Sequence, residues 1–526
     1  MSSKARSFVG GAAILAVAGL LGKIIGAFYR VWLNELIGPQ GLGIYQIPYS
    51  FYAFLLVIST AGIPTAISKL VSKCEASGDE EGTRRVFSVA KRILVVTGTL
   101  TTVLMAVFAK PLAQGAGNPD AALGFVMLAP SLFIVCMLSA YRGYFQGKQM
   151  MTPSAISQII EQIGRLVFGF GLAILWYPKG ALYGAAGAVL GVTLCEACAL
   201  VFIYGSYRAH ISGKPIRPSK FDSKPVLVDL VKIALPVTLG ASIMPLVSLT
   251  DTMTVINRLV SIGYEAKAAT STFGILNGMV TSIVNMPAVI SLSLSISLVP
   301  AISAAMEQGR REYTGKIAYT GMKLAALIGF PCAVGIFLLA SPILDLLSST
   351  YTPEQHEIAV RLLKIMAFAI IFLTMTQTTT GMLQGLSKPL LPVYSLGIGA
   401  VIKIALNYTL IAIPSVNIAG AAIGSLVCYA IASVINIWNV KKHAGMKFSF
   451  VKQIALPAIS ALIMGLAVYF VNLLLEDILG QTLSMFACIG VGVIVYAVMI
   501  FVLGAVTKDD LDWIPKGHKL KKLLRY

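Results

Sequence analysis

The sequence predicts an all-α, polytopic membrane protein, and three observations lead to this fold class. Hydrophobic residues make up 57% of the chain and charged residues only 12%, too few charges for the surface of a soluble protein of 526 residues. Apolar runs long enough to cross a bilayer recur along the whole length. The alternating ten-residue pattern of a membrane β-barrel does not occur, so helices are expected to satisfy the backbone hydrogen bonds in lipid.

A hydropathy window of about 19 residues predicts about 14 transmembrane helices. The predicted spans cover 8–29, 45–70, 87–110, 121–141, 154–177, 182–205, 230–256, 268–303, 317–346, 358–382, 390–413, 417–440, 453–475 and 482–506.

The net charge of +19 follows from topology and does not indicate nucleic-acid binding. Lys and Arg concentrate in alternate connections, such as 72–92 and 207–232, and in the C-terminal tail, whereas the opposite connections 111–120 and 348–357 contain none. By the positive-inside rule, both termini are cytoplasmic. The sequence therefore predicts a multi-pass membrane protein with no nucleic-acid partner.

An internal repeat divides the chain. The motif GYFQG at 143–147 returns as GMLQG at 381–385, an offset near 237 that relates spans one to six to spans seven to twelve. Six is an even number, so the two halves have the same orientation, and a substrate path is expected at their interface. The predicted units are an N-terminal lobe 1–206, a basic cytoplasmic linker 207–229, a C-terminal lobe 230–445, two extra spans in 446–506 and a basic cytoplasmic tail 507–526.

Signatures of enzymes and of bound cofactors are absent from the sequence. No GxxxxGK[ST] run is present to hold nucleotide phosphates, and the four histidines are dispersed in connections and the tail. The seven cysteines are scattered without a disulfide framework. We therefore expect a protein that is not an enzyme, with no metal and no cofactor.

Lys23 and Arg30 are the first candidate site residues, because they lie inside or at the end of the first apolar run. A charge at membrane depth costs about 2.5 kcal/mol or more, so such residues usually face protein or a water-filled cavity. Seven residues apart, they project from one face of a helix. Two cations on one face indicate anion binding. The alternative is that each side chain extends to the membrane interface.

Two further cations occupy equivalent positions in the repeat. Glu161 and Arg165 are four residues apart in the fifth span, and the repeat places Lys403 where Arg165 stands. Cations from both halves suit a substrate with two negative phosphates. The alternative is that Glu161 neutralises Arg165 as a packing ion pair.

Two more acids, Glu196 and Asp251, lie at membrane depth. Each either pairs with a basic residue or binds a proton or sodium ion that drives transport, and Asp251 is the stronger coupling candidate because it lies in the polar run 248–252. Polar side chains that either line a wet cavity or join helices by hydrogen bonds are Asn277, Asn285 and Gln377.

Several stretches resemble the stage V sporulation protein B group, within the polysaccharide-exporter and lipid II flippase branch of the multidrug/oligosaccharidyl-lipid/polysaccharide superfamily. They are GKIIGAFYR at 22–30, IGPQGLGIY at 37–45, AGIPTAISK at 61–69, RGYFQG at 142–147 and LVPAIS at 298–303.

The resemblance implies a fourteen-helix, two-lobed transporter of the bacterial cytoplasmic (inner) membrane. It would move undecaprenyl-pyrophosphate-linked sugars outward by alternating access. In the flippase relatives, cations of the first span line the central cavity, and Lys23 and Arg30 fit that pattern. Further cavity arginines of those relatives are not matched, since Ser59 and Thr60 stand near one such position and Ser282 near another. The last two spans resemble elements that form a groove for the lipid tail.

These observations predict a flippase for an anionic, lipid-linked cell-wall or polysaccharide precursor, acting as a monomer with H⁺ or Na⁺ as candidate coupling ions. Lys23, Arg30, Arg165 and Lys403 are expected to bind its pyrophosphate. One alternative is a cation-coupled multidrug antiporter of the same superfamily, which needs an acid-rich cavity. The other is a non-transporting scaffold for peptidoglycan synthesis, which would tolerate loss of all four cations.

Overall fold

The computed structural model describes residues 3–212 and 224–506, and the regular elements in these ranges are all helical. The predicted linker 207–229 is therefore described only at its two ends. The predicted tail 507–526 lies outside the described residues.

Eighteen α-helices follow one another along the described chain. They are α1 (Ser3–Thr60), α2 (Ile63–Ala76), α3 (Glu80–Val107), α4 (Ala109–Gly115), α5 (Ala122–Gly147), α6 (Met151–Gly164), α7 (Gly171–Trp176), α8 (Ala181–Ile211), α9 (Lys224–Ser261), α10 (Ala266–Phe273), α11 (Thr281–Glu307), α12 (Arg311–Leu338), α13 (Ala340–Leu347), α14 (Pro353–Gly385), α15 (Leu390–Leu410), α16 (Ala419–Ala444), α17 (Leu456–Leu479) and α18 (Gln481–Val502). Three π-helical turns interrupt or precede them, at Arg165–Phe170, Gly274–Val280 and Val451–Ala455.

In the described ranges, 13 helices are long and apolar enough to cross a membrane. The first of them, Ile24–Ala76, has 53 residues. At 1.5 Å per residue it would extend about 80 Å, more than twice the hydrocarbon thickness of a bilayer. The segment is broken at Gly38 and again between Thr60 and Ile63, and it includes the predicted span 45–70 and the end of the predicted span 8–29. The fold class, an all-α membrane protein with about 14 transmembrane helices, is confirmed.

The break at Gly38 depends on glycine. Its φ of 67° and ψ of 177° lie in a region essentially restricted to that residue. A Cβ added there would meet no atom within 4 Å, so the cost of substitution comes from the backbone alone.

Gly38→Ala is expected to destabilise the protein by about 1–3 kcal/mol. Gly19→Ala is the matched control in the same helix, because a Cβ at Gly19 also meets no atom within 4 Å and its φ is not positive. Thermal unfolding in detergent measures both effects. Equal transition temperatures for the two variants would contradict the role of the Gly38 backbone.

The contacts divide the chain into two compact units, Met1–Met279 and Val280–Tyr526. In the first, α3 packs against α5, α5 against α8 and α6 against α8. In the second, α12 packs against α14, α14 against α16 and α15 against α16, the same order of pairings about 237 residues later. The two last helices, α17 and α18, pack on each other, and α17 packs on α12. The first unit includes α9 and α10, and the predicted lobe boundaries remain predictions.

Close helix packing in the first unit depends on small residues. A Cβ at Gly164 would come within 2.6 Å of the Cβ of Cys195 on α8. A Cβ at Gly187 would lie 2.6 Å from the carbonyl oxygen of Leu172, and one at Gly191 would lie 2.2 Å from the Cα of Gly169. Small residues let helix backbones approach this closely in membranes. We call these contacts of α8 with α6, α7 and the intervening π turn the glycine seam.

Candidate functional site

Two of the predicted cations lie around a pair of tyrosines in the first unit, of which Tyr45 is buried and Tyr49 half-buried. The rings of Tyr45 and Tyr49 stack with their centroids 5.6 Å apart. The guanidinium carbon of Arg30 is 5.6 Å from the centroid of the Tyr49 ring, within cation–π range. The charges of both Arg30 and Arg165 act on Tyr45. The fold thus brings Arg30 and Arg165, 135 positions apart in the chain, into one neighbourhood.

Glu161 lies between two arginines and is closer to one of them. Its Oε2 is 3.1 Å from an Nη atom of Arg142, and its Oε1 is 3.8 Å from an Nη atom of Arg165. The Nε of Arg142 also donates to the Oγ of Ser157 at 2.9 Å. We call Arg142, Glu161 and Arg165 the arginine cluster.

Arg165 keeps hydrogen-bond donors that the arginine cluster does not use. Its 3.8 Å separation from Glu161 is too long for a hydrogen bond. Its Nε is buried and has no hydrogen-bond partner among the described residues. A guanidinium has five N–H donors, so Arg165 retains capacity for a further acceptor. Glu161 pairs with both Arg142 and Arg165, so anion binding by Arg165 stays a prediction beside the alternative of a packing ion pair.

The position of Arg165 is fixed by the turn that it begins. Arg165–Phe170 is a π-helical turn, a wide turn frequently found at functional sites. Gly169 within it faces Gly191 of the glycine seam and the hydroxyl of Tyr29 on α1. Packing on two sides thus holds the backbone from which Arg165 projects.

Arg142 is a member of the cluster that sequence reasoning missed. The predicted fourth span ends at 141, which assigns Arg142 to a cytoplasmic connection. In the structure α5 continues to Gly147, and the Arg142 side chain is only 15% exposed. The available signal was an arginine directly after an apolar run, ahead of the polar residues Ser157 and Glu161 on the next helix.

Glu196 is the most deeply buried acid of this region. It is 1% exposed, and its Oε1 accepts a hydrogen bond of 2.5 Å from the hydroxyl of Tyr52 on α1. Its Oε2 has no hydrogen-bond partner in the described part of the chain. Whether Glu196 serves pairing or ion coupling remains open at this point.

Lys23 lies on α1, and its side chain is outside the described part of the structure. The backbone on either side of it borders α6. A Cβ at Gly22 would lie 3.1 Å from the Cγ of Gln162, and one at Gly26 would lie 3.8 Å from its Oε1. Gln162 follows Glu161 directly, so this part of α1 runs beside the helix that carries the arginine cluster.

Lys403 is buried in the second unit. It lies on α15, is 3% exposed and packs with its Cγ toward Gly424 of α16. Asn407 lies one turn further along the same helix and also faces Gly424. The expectation that Lys403 and Arg165 face one chamber remains a prediction.

The remaining candidates differ in their surroundings. Asp251 is buried on α9. Asn277 is buried in the π turn Gly274–Val280, and its Nδ2 lacks a hydrogen-bond partner among the described residues. Gln377 is half-buried on α14, and its Oε1 likewise has no partner there. Asn285 is exposed on α11. Their assignment to a cavity stays a prediction.

A bundle of many membrane-spanning helices with buried arginines, lysines and acids is typical of a membrane transporter. The chain belongs to the polysaccharide biosynthesis protein family, whose model matches residues 8–306. A second family model, described as MatE, matches residues 236–409. The resemblance seen in the sequence is thereby confirmed.

Two curated relatives from Bacillus subtilis (strain 168) cover nearly all of the chain. Stage V sporulation protein B is 27% identical over 97% of this chain and 98% of the relative. The lipid II flippase MurJ is 27% identical over 90% of this chain and 89% of the relative.

Solved structures show the same fold. A lipid II flippase MurJ in an inward closed conformation matches with a TM-score of 0.72 and 15% identity, over 93% of this chain and 98% of that structure. An inward-facing multidrug resistance MATE family transporter of the MOP superfamily matches with a TM-score of 0.67 and 16% identity, over 81% and 95%. The protein is therefore a multi-pass membrane protein with the fold of these transporters.

Proposed function

We propose that this protein is a flippase that moves an anionic, undecaprenyl-pyrophosphate-linked cell-wall or polysaccharide precursor across the bacterial cytoplasmic membrane by alternating access. The observation that carries the proposal is the state of Arg165: it lies near Arg30, and its Nε has no partner among the described residues. The relative named lipid II flippase MurJ supports the same class of cargo.

The chemistry of the cluster suits a pyrophosphate. Arg142 and Arg165 share the single carboxylate of Glu161, at 3.1 Å and 3.8 Å, so the arginine cluster keeps a net positive charge that attracts another anion. Guanidinium groups bind phosphate oxygens through two parallel hydrogen bonds. The attraction is stronger in a partly dehydrated site than in water. Lys23 and Lys403 are the proposed further ligands.

The wider assignment is part of the proposal. Both termini are cytoplasmic, the protein acts as a monomer, and H⁺ or Na⁺ is the candidate coupling ion. A cation-coupled multidrug antiporter is the second candidate, because the chain shares its fold with a multidrug resistance transporter. The excess of cations around Tyr45 and Tyr49 favours an anionic cargo over that alternative.

The double variant Lys23→Ala with Arg30→Ala is expected to remain folded and inserted but to lose translocation, because it removes two positive charges from the pyrophosphate path. The measurement is accessibility labelling of accumulated lipid-linked precursor on the two membrane faces, in cells depleted of their own flippase.

Lys110→Ala with Lys388→Ala is the matched control, since it removes the same charge from two exposed side chains. The control should translocate normally. Normal translocation by the Lys23 and Arg30 double variant would count against the proposed function. If the Lys23 and Arg30 double variant restored growth without translocation, the result would favour a non-transporting scaffold for peptidoglycan synthesis.

A further inference from the structure

Glu196 stands apart from the ion pairs of the arginine cluster. Glu161 is held by Arg142 at 3.1 Å, whereas no ion pair to Glu196 is found in the described part of the chain. The Tyr52 hydroxyl donates to one oxygen of Glu196, and the other oxygen has no hydrogen-bond partner there. A carboxylate buried to this extent with only neutral hydroxyl donors is costly, and a bound proton removes that cost.

The surroundings of Glu196 come from several helices. Its titratable or charged neighbours are Tyr52 on α1, Glu161 on α6, Arg165 at the start of the π turn and Cys195 beside it on α8. The charges of Glu161 and Arg165 act directly on its carboxyl. Arg165 therefore interacts electrostatically with two acids, Glu161 and Glu196.

We propose that Glu196 is a proton-binding site, and that its proton sets how strongly Arg165 binds a phosphate-bearing anion. This inference rests on the proposed function, because it assumes the anion site at Arg165. With Glu196 ionised, two carboxylates act on Arg165 and compete with an incoming phosphate. With Glu196 protonated, only Glu161 remains, and Arg142 already holds it.

The coupling between the proton on Glu196 and the anion at Arg165 is reciprocal. If the proton strengthens anion binding, the anion must strengthen proton binding by the same factor. Each arrival of cargo at Arg165 therefore favours a proton on Glu196. The bond that changes is the O–H bond of the Glu196 carboxyl, and the proton comes from water.

The test uses the purified full-length protein in detergent with inorganic pyrophosphate as the probe. Binding is measured by calorimetry over a series of pH values for the wild type, Glu196→Gln and Tyr52→Phe. Glu312→Gln is the control, because Glu312 is an exposed acid on α12. The titration of pyrophosphate itself is common to all four proteins and cancels in the comparison.

The wild type and the control should bind pyrophosphate more tightly as the pH falls, by at least about fivefold relative to Glu196→Gln, whose amide cannot ionise. Glu196→Gln should bind with the affinity of the protonated wild type at every pH. Tyr52→Phe removes the hydrogen bond to the carboxylate, so the midpoint of its pH dependence should move to higher pH.

Infrared difference spectra between high and low pH give a second readout that needs no anion. The wild type should show the band of a protonated carboxylic acid, and Glu196→Gln should lack it. The same pH dependence in wild type and Glu196→Gln would overturn the inference and leave the proposed function intact. A Glu196 band without pyrophosphate binding at any pH would overturn the linkage and the proposed function, and would leave the proton site.

Discussion

Replacing Arg165 by alanine is expected to abolish translocation while leaving the protein folded. Each hydrogen bond to a charged group contributes about 1.5–3 kcal/mol, which corresponds to roughly 10- to 100-fold weaker binding of a pyrophosphate. The fold should survive because Glu161 keeps its nearer partner, Arg142, and no buried acid of the cluster is left without a cation. Translocation of lipid-linked precursor and calorimetric binding of pyrophosphate measure the two effects.

Two further variants sharpen this test. Arg165→Lys keeps the charge but loses the planar pair of donors, so intermediate affinity is expected. Arg361→Ala removes an exposed arginine of the second unit and should behave as the wild type. Full activity of Arg165→Ala would contradict an anion-binding role. Loss of folding would contradict the inference that Arg142 alone suffices for Glu161.

Gly191→Ala is expected to have the largest effect on stability of the substitutions considered. The added Cβ would lie 2.2 Å from the Cα and 2.3 Å from the N of Gly169, and backbone atoms cannot rotate away as a side chain can. Overpacking in a dense core costs about 1–3 kcal/mol, and separation of two helices places this case at the upper end. The displaced turn also carries Arg165, so anion binding should fall with stability.

Gly205→Ala is the matched control on the same helix, because a Cβ there meets no atom within 4 Å. Its thermal transition in detergent should equal that of the wild type or exceed it slightly, since alanine favours helix over glycine. If Gly191→Ala unfolded at the same temperature as Gly205→Ala, the glycine seam would not be the close contact described above.

Much of the fold follows from sequence because lipid leaves few choices to the backbone. Apolar runs locate the helices, and charges within such runs single out Arg30, Arg165 and Lys403. Arg142 was not predicted as a site residue, because hydropathy locates the end of an apolar run and not the end of the helix. The helix continues to Gly147. The π turn could not be predicted from the sequence, since it is defined by backbone hydrogen bonds and has no distinctive residue composition.

The pairing of Tyr52 with Glu196 also lay beyond sequence reasoning. The two residues are 144 positions apart, and no sequence motif relates one to the other. Hydropathy favoured Asp251 as the coupling acid because polar residues surround it in the chain. The fold instead places Glu196 beside neutral hydroxyl donors and the charges of Glu161 and Arg165, an arrangement that exists only after α1, α6 and α8 have packed.

The π turn has a consequence for the chemistry of the helix that contains it. A π turn spaces its hydrogen bonds five residues apart, so it adds a residue and shifts the angular register of everything that follows. Before the turn, the Glu161 carboxylate contacts the guanidinium groups of Arg142 and Arg165. After the turn, Ile174 and Leu175 are 47% and 70% exposed. Before the turn Ile163 is also 51% exposed, so an apolar outer surface continues along the whole helix while the turn resets the direction of the side chains that follow Arg165.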